Sequence, residues 1–513
     1  MLKRQILNIV NFIRACEPRV KVDLVKPVRE QIRLMKRHGL RGTFLIQYDA
    51  LLEPVYTDML KELDPAQFEI GVWHEIVQPE VEKLGIKWTG RWAWDWHAHC
   101  GFAVGYTKAE REAIADELFA KFREVFGYYP RVFGSWFFDT HTVRYLSSKY
   151  GLDALCNCKE QYGTDGYTLW GGYYGQAYYP SVVNMFMPSQ SEATKMDVPL
   201  FRMLGSDQVY QYDFGMSVEE GAGVQGVITL EPVYTRGTGG GGVPRWVDWY
   251  MRENYNGECL TFGYAQAGQE NPFGWDAMGA GLTYQFALFE KLRDEGRIIV
   301  EPLGDTGRWY KKTYTATPAS TITAHTTFDD RDRDSVWYSS RFYRCNLYTE
   351  EGVTRIRDLH VFDDGCPDPF EDRVCESNEV TYETLPVADG NRHSGNGVRA
   401  GVYFTYADGS PVVTDGFAFT DCGGNTAIAD YGTLAFTLGE NFLRIESGQD
   451  FTAEYRSGGG ADHRPGLVSL SGDLLKFRYA GREYGIKLTT GRFLSPCRIE
   501  SEGGVITAEI ILV

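Results

Sequence analysis

The sequence has no excess of positive charge: 52 Lys and Arg stand against 69 Asp and Glu, a formal net charge of -17 at pH 7. Unspecific attachment to nucleic acid or to an anionic membrane needs a cationic face, so no nucleic-acid partner is expected. No apolar run reaches the roughly 18 residues of a bilayer span. Neither GxxxxGK[ST] nor GxSxG falls at a strand-helix turn, so P-loop and nucleophile-elbow chemistry are not indicated. There is no fixed-period repeat and no block of one charge sign, and 43% hydrophobic with 24% charged residues excludes wholesale disorder. The ten cysteines are scattered over 513 residues and do not read as a small disulfide scaffold. Cys156 and Cys158 read as core residues. Cys366 and Cys375, in a polar stretch, are either a pair or two free thiols.

What is abundant is aromatic. Tyr (32), Phe (29) and Trp (12) make up 14% of the chain. Rings fill any core, but they also stack on the C–H faces of sugars, which favours a carbohydrate ligand. The length suggests two or three domains. Met1 to Arg4 runs straight into an apolar stretch interrupted by Asn8 and Asn11. That reads as a first strand rather than a signal peptide, and a chain starting here would be cytoplasmic; a leader removed ahead of this numbering stays open.

Over the first 310 residues, strand-like and helix-like segments alternate. Strands are expected at 6–14, 42–47, 68–74, 131–138, 152–158, 200–204, 260–264 and 298–302. Helices are expected at 23–38, 50–63, 108–126, 142–150 and 277–295. The alternation implies a parallel sheet with outer helices, either a closed barrel or an open sheet; about seven or eight strand signals favour the barrel, whose site would lie at the carboxyl ends of the strands. Insertions at 76–106 and 214–258 interrupt it. After about Lys312 come a Thr-, Ala- and Pro-rich stretch and then short alternating strands with turns such as Asp389-Gly390-Asn391 and Ser471-Gly472-Asp473. The expected division is a (β/α) barrel over 1–312 and an all-β sandwich over 313–513.

Four of the nine histidines (His74, His97, His99 and His141) fall within 74–141. His97 and His99 share a face if extended, and with nearby carboxylates could chelate a divalent ion such as Zn. They equally suit hydrogen bonds to substrate. Trp88, Trp92, Trp94 and Trp96 form either a sugar-stacking wall or a plug under a loop. Carboxylates at strand ends are the acid and base candidates: Glu17, Glu75, Asp139, Glu160, Asp165, Asp207, Asp213 and Glu270. Asp139 also suits a helix cap. The glycine run 237–242 contains GxGxxG but neither follows a strand nor opens a helix, so it reads as a loop.

The first 200 residues resemble the NodB-homology polysaccharide deacetylases, distorted (β/α)7 barrels related in architecture to family 38 and family 57 glycoside hydrolases. "HGLRGTFLIQ" resembles that family's second strand, "FEIGVWHE" its "hEIGnHt", and "KAEREAIADELFAKFREVFGYYPRVFGSWFFD" the helix and fourth strand ending in "kpklFRpPyG". "YLSSKYGLDAL" resembles "lakelGyk.v". Where the family carries TFDDG, with catalytic and metal-ligand aspartates, this chain has Arg14-Ala15-Cys16-Glu17-Pro18. Glu17 stands at the ligand position and Cys16 at that of the base. Of the H-x3-H pair only His74 is kept, and Gly134-Ser135-Trp136 replaces Arg-Pro-Pro. A TFDD at Thr327-Phe328-Asp329-Asp330 lies in the β region and is read as coincidence.

The expected function is a carbohydrate-active hydrolase on an oligo- or polysaccharide, a glycoside hydrolase with Glu17, Asp139 and Glu270 as catalytic carboxylates. His74, His97, His99, Trp94, Trp96 and Trp136 would bind substrate. No cofactor is favoured. The alternatives are a metal-dependent deacetylase holding its ion on Glu17, His74 and His97 or His99, and a catalytically silent carbohydrate-binding protein. The oligomeric state is not legible.

Overall fold

The alternation of the first 310 residues builds one curled, mostly parallel sheet. The computed structural model describes every residue except 1–2, 214–215, 218–220, 223–227, 236–238, 460–462 and 513, with backbone alone at 216–217 and 221–222. The strands are β1 (Gln5–Ile13), β2 (Gly42–Ile46), β3 (Phe68–Trp73), β4 (Val132–Gly134), β5 (Ala154–Asn157), β6 (Gln161–Thr164), β7 (Tyr167–Trp170), β8 (Ala177–Tyr178), β9 (Leu200–Arg202), β10 (Met216–Ser217), β11 (Gly221–Ala222), β12 (Gly263–Ala267) and β13 (Ile299–Val300). The main sheet runs β12-β1-β2-β3-β4-β5-β9-β8, with β13 also on β1. All neighbours are parallel except β8 on β9.

β1 is the hub. Its first half pairs with β12 and its second half with β2. It is buried nearly throughout, as a central parallel strand between two layers should be. The two asparagines that break its apolar run are buried and used. Asn8 donates to the Glu301 carbonyl and to Thr306, both at 2.8 Å, and Asn11 accepts from the Gln269 backbone N–H at 3.2 Å. They pin β1 to segments that follow it by more than 250 residues.

The helices are α1 (Val25–Arg37), α2 (Tyr48–Leu51), α3 (Pro54–Lys61), α4 (Gln78–Lys83), α5 (Ala98–Gly101), α6 (Lys108–Phe126), α7 (Thr140–Tyr150), α8 (Pro244–Asn254), α9 (Trp275–Asp294) and α10 (Leu303–Thr313). α6 starts at a Thr107–Glu110 capping box and stops at Gly127 in the left-handed region, which is why its ends match the sequence reading. The helix expected at 50–63 is instead α2 and α3, because Pro54 lacks the N–H to continue a helix and suits the start of one. The strand expected at 131–138 is only β4; beyond it Ser135 turns its hydroxyl to the His74 carbonyl and Asp139 begins α7. β12 lies three residues later than expected, in register with Gln5 to Ile9. α10 was not anticipated. Part of the glycine run, Gly237 and Thr238, lies outside the described residues. Cys366 and Cys375 are both free buried thiols, and Cys156 and Cys158 are in the core.

Beyond α10 the chain forms two large antiparallel sheets. Val336, Leu347, Ile356 and Phe404 from one share a core with Phe436, Leu443, Tyr484 and Ile506 from the other. This region reaches back to the first sheet. Its strand Val380–Glu383 adds in parallel to β7, and Tyr174 stacks on Trp337 with centroids 3.7 Å apart. Arg344, wholly buried, bridges Glu160 at 2.8 Å and Asp358 at 2.6 Å. Removing one member of such a group leaves the others charged and unpaired. Arg344→Ala is therefore expected to lower the unfolding free energy by about 3–5 kcal/mol, read from the urea midpoint at neutral pH.

Candidate active site at the carboxyl rim of the sheet

Arg14 leaves the end of β1, and its backbone is fixed from two sides. The Asn271 side chain accepts from its N–H at 3.0 Å and donates to its carbonyl at 2.9 Å, while Asp49 accepts from the next N–H at 2.9 Å. This aims the guanidinium across the rim, where three glutamates meet it. Nη2 lies 2.7 Å from Glu270 and 3.4 Å from Glu17, and Nη1 lies 3.7 Å from Glu75. The guanidinium also lies over the Trp94 ring, 3.7 Å from its centroid. The side chains of Arg14, Glu17 and Glu75 are all but sealed, and that of Glu270 is 11% exposed.

Three carboxyls face one central cation, and their protonation differs. Burial pushes Glu75 up to about 7, with Arg14 pulling down, Glu270 adding to the rise, and the Trp73 indole N–H, 2.7 Å away, opposing it. Its other oxygen, Oε1, is buried without a hydrogen bond. Burial also raises Glu270, against the charges of Arg14 and Arg19. Glu17 goes the other way. Burial alone would raise it, but hydrogen bonds from Arg19 and the charges of Arg14 and Arg19 outweigh that and hold it below the usual range. A carboxyl shifted toward its protonated form and one shifted toward its ionised form thus share one guanidinium.

A second buried carboxyl lies beside Glu270. Glu231 accepts from Thr229 at 2.9 Å and from Gln269 at 3.3 Å, and burial lifts it to about 7 against the charge of Lys159. Lys159 is itself lowered by burial.

Aromatic rings wall the rim. Phe12 stacks on Trp73 at 4.1 Å, and Trp136 meets Trp73 edge-on at 5.2 Å. From the insertion, arginines and tryptophans alternate outward from Arg14. Trp94 lies under Arg14 and Arg19, Trp96 between Arg19 and Arg91, and Trp92 under Arg91. Trp94 is 1% exposed, so its faces are taken by cations rather than open to a ligand, whereas Trp92 is 40% exposed. Tyr167 ties the insertion down through the Trp96 carbonyl.

Of the residues singled out from sequence, the structure gathers Glu17, Glu270, Trp94, Trp96 and Trp136 around this rim. Asp139 does not join them. It caps α7, accepting from the Thr142 N–H at 3.0 Å, and pairs at 3.0 Å with the buried Arg111. His74 is turned away because successive residues at a strand end face opposite sides. Trp73 and Glu75 point into the site, while His74 packs 5.2 Å from the Phe133 ring with neither nitrogen hydrogen-bonded, and burial lowers it to about 4. His97 lies 3.8 Å from Asp95 and edge-on to Trp96, with His99 5.8 Å away.

The set Glu17, His74 and His97 or His99 does not fit a metal. The oxygens of Glu17 are engaged by Arg14 and Arg19, and His74 faces elsewhere. Among the described residues no three His, Cys, Asp or Glu side chains form a cation-holding group.

The sequence reading placed Glu75 at a strand end without choosing it, and missed Arg14, Lys159 and Glu231. Alternation from Trp73 would have selected Glu75 over His74. Nothing in the local sequence marks Glu231, which comes from the irregular insertion.

No family model and no curated protein matches the chain. Solved structures do. A protein of Parabacteroides distasonis described as a candidate glycoside hydrolase/deacetylase superposes with a TM-score of 0.56 at 15% identity, covering 75% of this chain and 91% of that one. The likeness is one of fold, and it agrees with the curled α/β sheet followed by antiparallel sheets. A candidate polysaccharide deacetylase from Mycobacterium smegmatis matches with a TM-score of 0.37 and 14% identity, over 62% of this chain and 94% of that one. A GH57 branching enzyme from Thermococcus kodakaraensis matches with 0.31 and 10%, over 62% and 72%. Both scores are too low to carry an argument. Among the described residues no helix is long and apolar enough to cross a membrane.

The raised Glu75 has a measurable consequence. Between about pH 4.5 and 7 the folded chain holds a proton that the unfolded chain has lost, so stability falls as pH rises through that window. Glu75→Gln removes this penalty and keeps an oxygen for the Trp73 indole. It is expected to stabilise the fold by about 1–3 kcal/mol at pH 8 and to change little at pH 4, compared by urea unfolding at the two pH values.

Proposed function

We propose that this chain is a carbohydrate-active hydrolase of glycoside-hydrolase type, cleaving an oligo- or polysaccharide at the carboxyl rim of the sheet. The observation that carries this reading is the convergence of three glutamates on the buried Arg14, with Glu75 favouring its protonated form at the carboxyl rim. Glycoside cleavage needs a carboxyl that delivers a proton to the leaving oxygen and a carboxylate on the other side of the bond. Glu75 takes the first role. Glu270 takes the second: it is the most exposed of the three, and Arg14 at 2.7 Å offsets part of the rise that burial gives it. It acts on the anomeric carbon directly or through a water. Glu17 holds Arg14 and Arg19 in place. Trp136 and the exposed Trp92 offer ring faces or edges to sugar, with Trp96 held between two arginines behind them and His97 and His99 as polar contacts beyond. The region after residue 313 serves as a buttress for residues 159–175, next to the rim.

In a glycoside panel, Glu75→Gln and Glu270→Gln are each expected to lower kcat/KM by about 10²–10⁴-fold. The wild type should lose kcat/KM as pH rises through about 7, where Glu75 gives up its proton, and that alkaline limb should vanish in Glu75→Gln. Asp139→Asn should lower stability and leave the pH profile unchanged. Activity indifferent to both glutamine variants, abolished by a chelator and restored by zinc, would replace this reading with the metal-dependent deacetylase.

A further inference from the structure

The two antiparallel sheets of the C-terminal region do not close completely on each other. At one end of their interface is a cavity of about 310 Å³, lined by Ile356, Val402 and Ala453 of one sheet and Leu443, Ile486 and Ile510 of the other. Facing sheets normally interdigitate to interior density. A void of this size forfeits many contacts, and it falls at the lower end of the range for small-molecule sites.

Two further observations concern its opening. Leu467, which lines the cavity, is 53% exposed, and its neighbour Val468 is 41% exposed. At Leu467 the apolar lining therefore reaches the surface. Arg464 also lines the cavity. It donates from Nη2 to the Gly459 carbonyl at 2.6 Å, its Nε is buried without a partner, and no carboxylate pairs with it among the described residues. An arginine with no counter-ion among the described residues, lining an apolar pocket, suits a ligand with an anionic head and a hydrocarbon body.

We propose that this cavity binds a single aliphatic chain carrying an anionic head group, a ligand of the fatty-acid class, with the chain between the sheets and the head at Arg464. The site is separate from the Arg14 cluster and does not depend on the reaction proposed there.

The test uses the full-length protein, stripped of bound lipid on a hydrophobic resin. The probe is the fluorescent fatty acid cis-parinaric acid, with hexadecanoic acid and hexadecan-1-ol as competitors. Saturable binding of one probe per chain is expected, with the acid displacing it about tenfold better than the alcohol. Arg464→Gln should erase the preference for the acid and leave the alcohol's competition unchanged. Ala453→Leu should abolish probe binding while the melting temperature holds or rises, because the added carbons enter open space. Ala508→Val, from the facing sheet, makes the same test if Ala453→Leu does not fold. Absent saturable binding, binding that survives both filled variants, or equal competition by acid and alcohol would each overturn the proposal. So would a homodimer in light scattering whose dissociation is needed before the probe binds, since a second copy would then be the occupant.

Discussion

A guanidinium buried among carboxylates at the end of the central strand organises the rim of this protein. Arg14 is held through its backbone by Asn271 and Asp49 and through its side chain by Glu17, Glu75 and Glu270. Segments after β1, β3 and β12, distant in sequence, thus share one charge. A lone ion pair taken this far from water would gain little or nothing overall. Here the cation also lies on Trp94 and the carboxyls do not all ionise, which lessens the burden of charge.

The same geometry explains why the ion-holding set drawn from the resemblance does not assemble. The deacetylases that the sequence resembles carry aspartates after the first strand; this chain carries Arg14 and Glu17. A fixed positive charge occupies the ground between the glutamates, and the histidine that the resemblance would enlist faces Phe133.

Legibility followed local periodicity. α6 was read to the residue because a capping box and a left-handed glycine mark its ends. β1, β2 and β3 were read within a residue or so because buried strands are continuous apolar runs. Pro54 was visible but its break in the helix was not used. Site residues were harder. Glu17 and Glu270 were reachable from strand ends, but Asp139 met the same criterion and proved to be a cap paired with Arg111. A strand end says that a side chain is near the rim and not which way it points; that depends on alternation, which separates Glu75 from His74. Glu231 and Arg344 depend on contacts between distant segments, and no local pattern reports them.

The strand Val380–Glu383 lies in parallel beside β7, more than two hundred residues earlier in the chain. A ribosome delivers β6 and β7 long before their partner exists. During synthesis that edge of hydrogen-bonding groups stays open, and Glu160 has only Arg202, at 3.7 Å in the finished fold, until Arg344 arrives. Residues 159–175 lack part of their final contacts until the antiparallel sheets form. A long interval with an unpaired strand edge and a buried-to-be charge is when association with other nascent chains competes with folding. The order of emergence, more than the final energy, would then set how much of this protein reaches its native state in a cell.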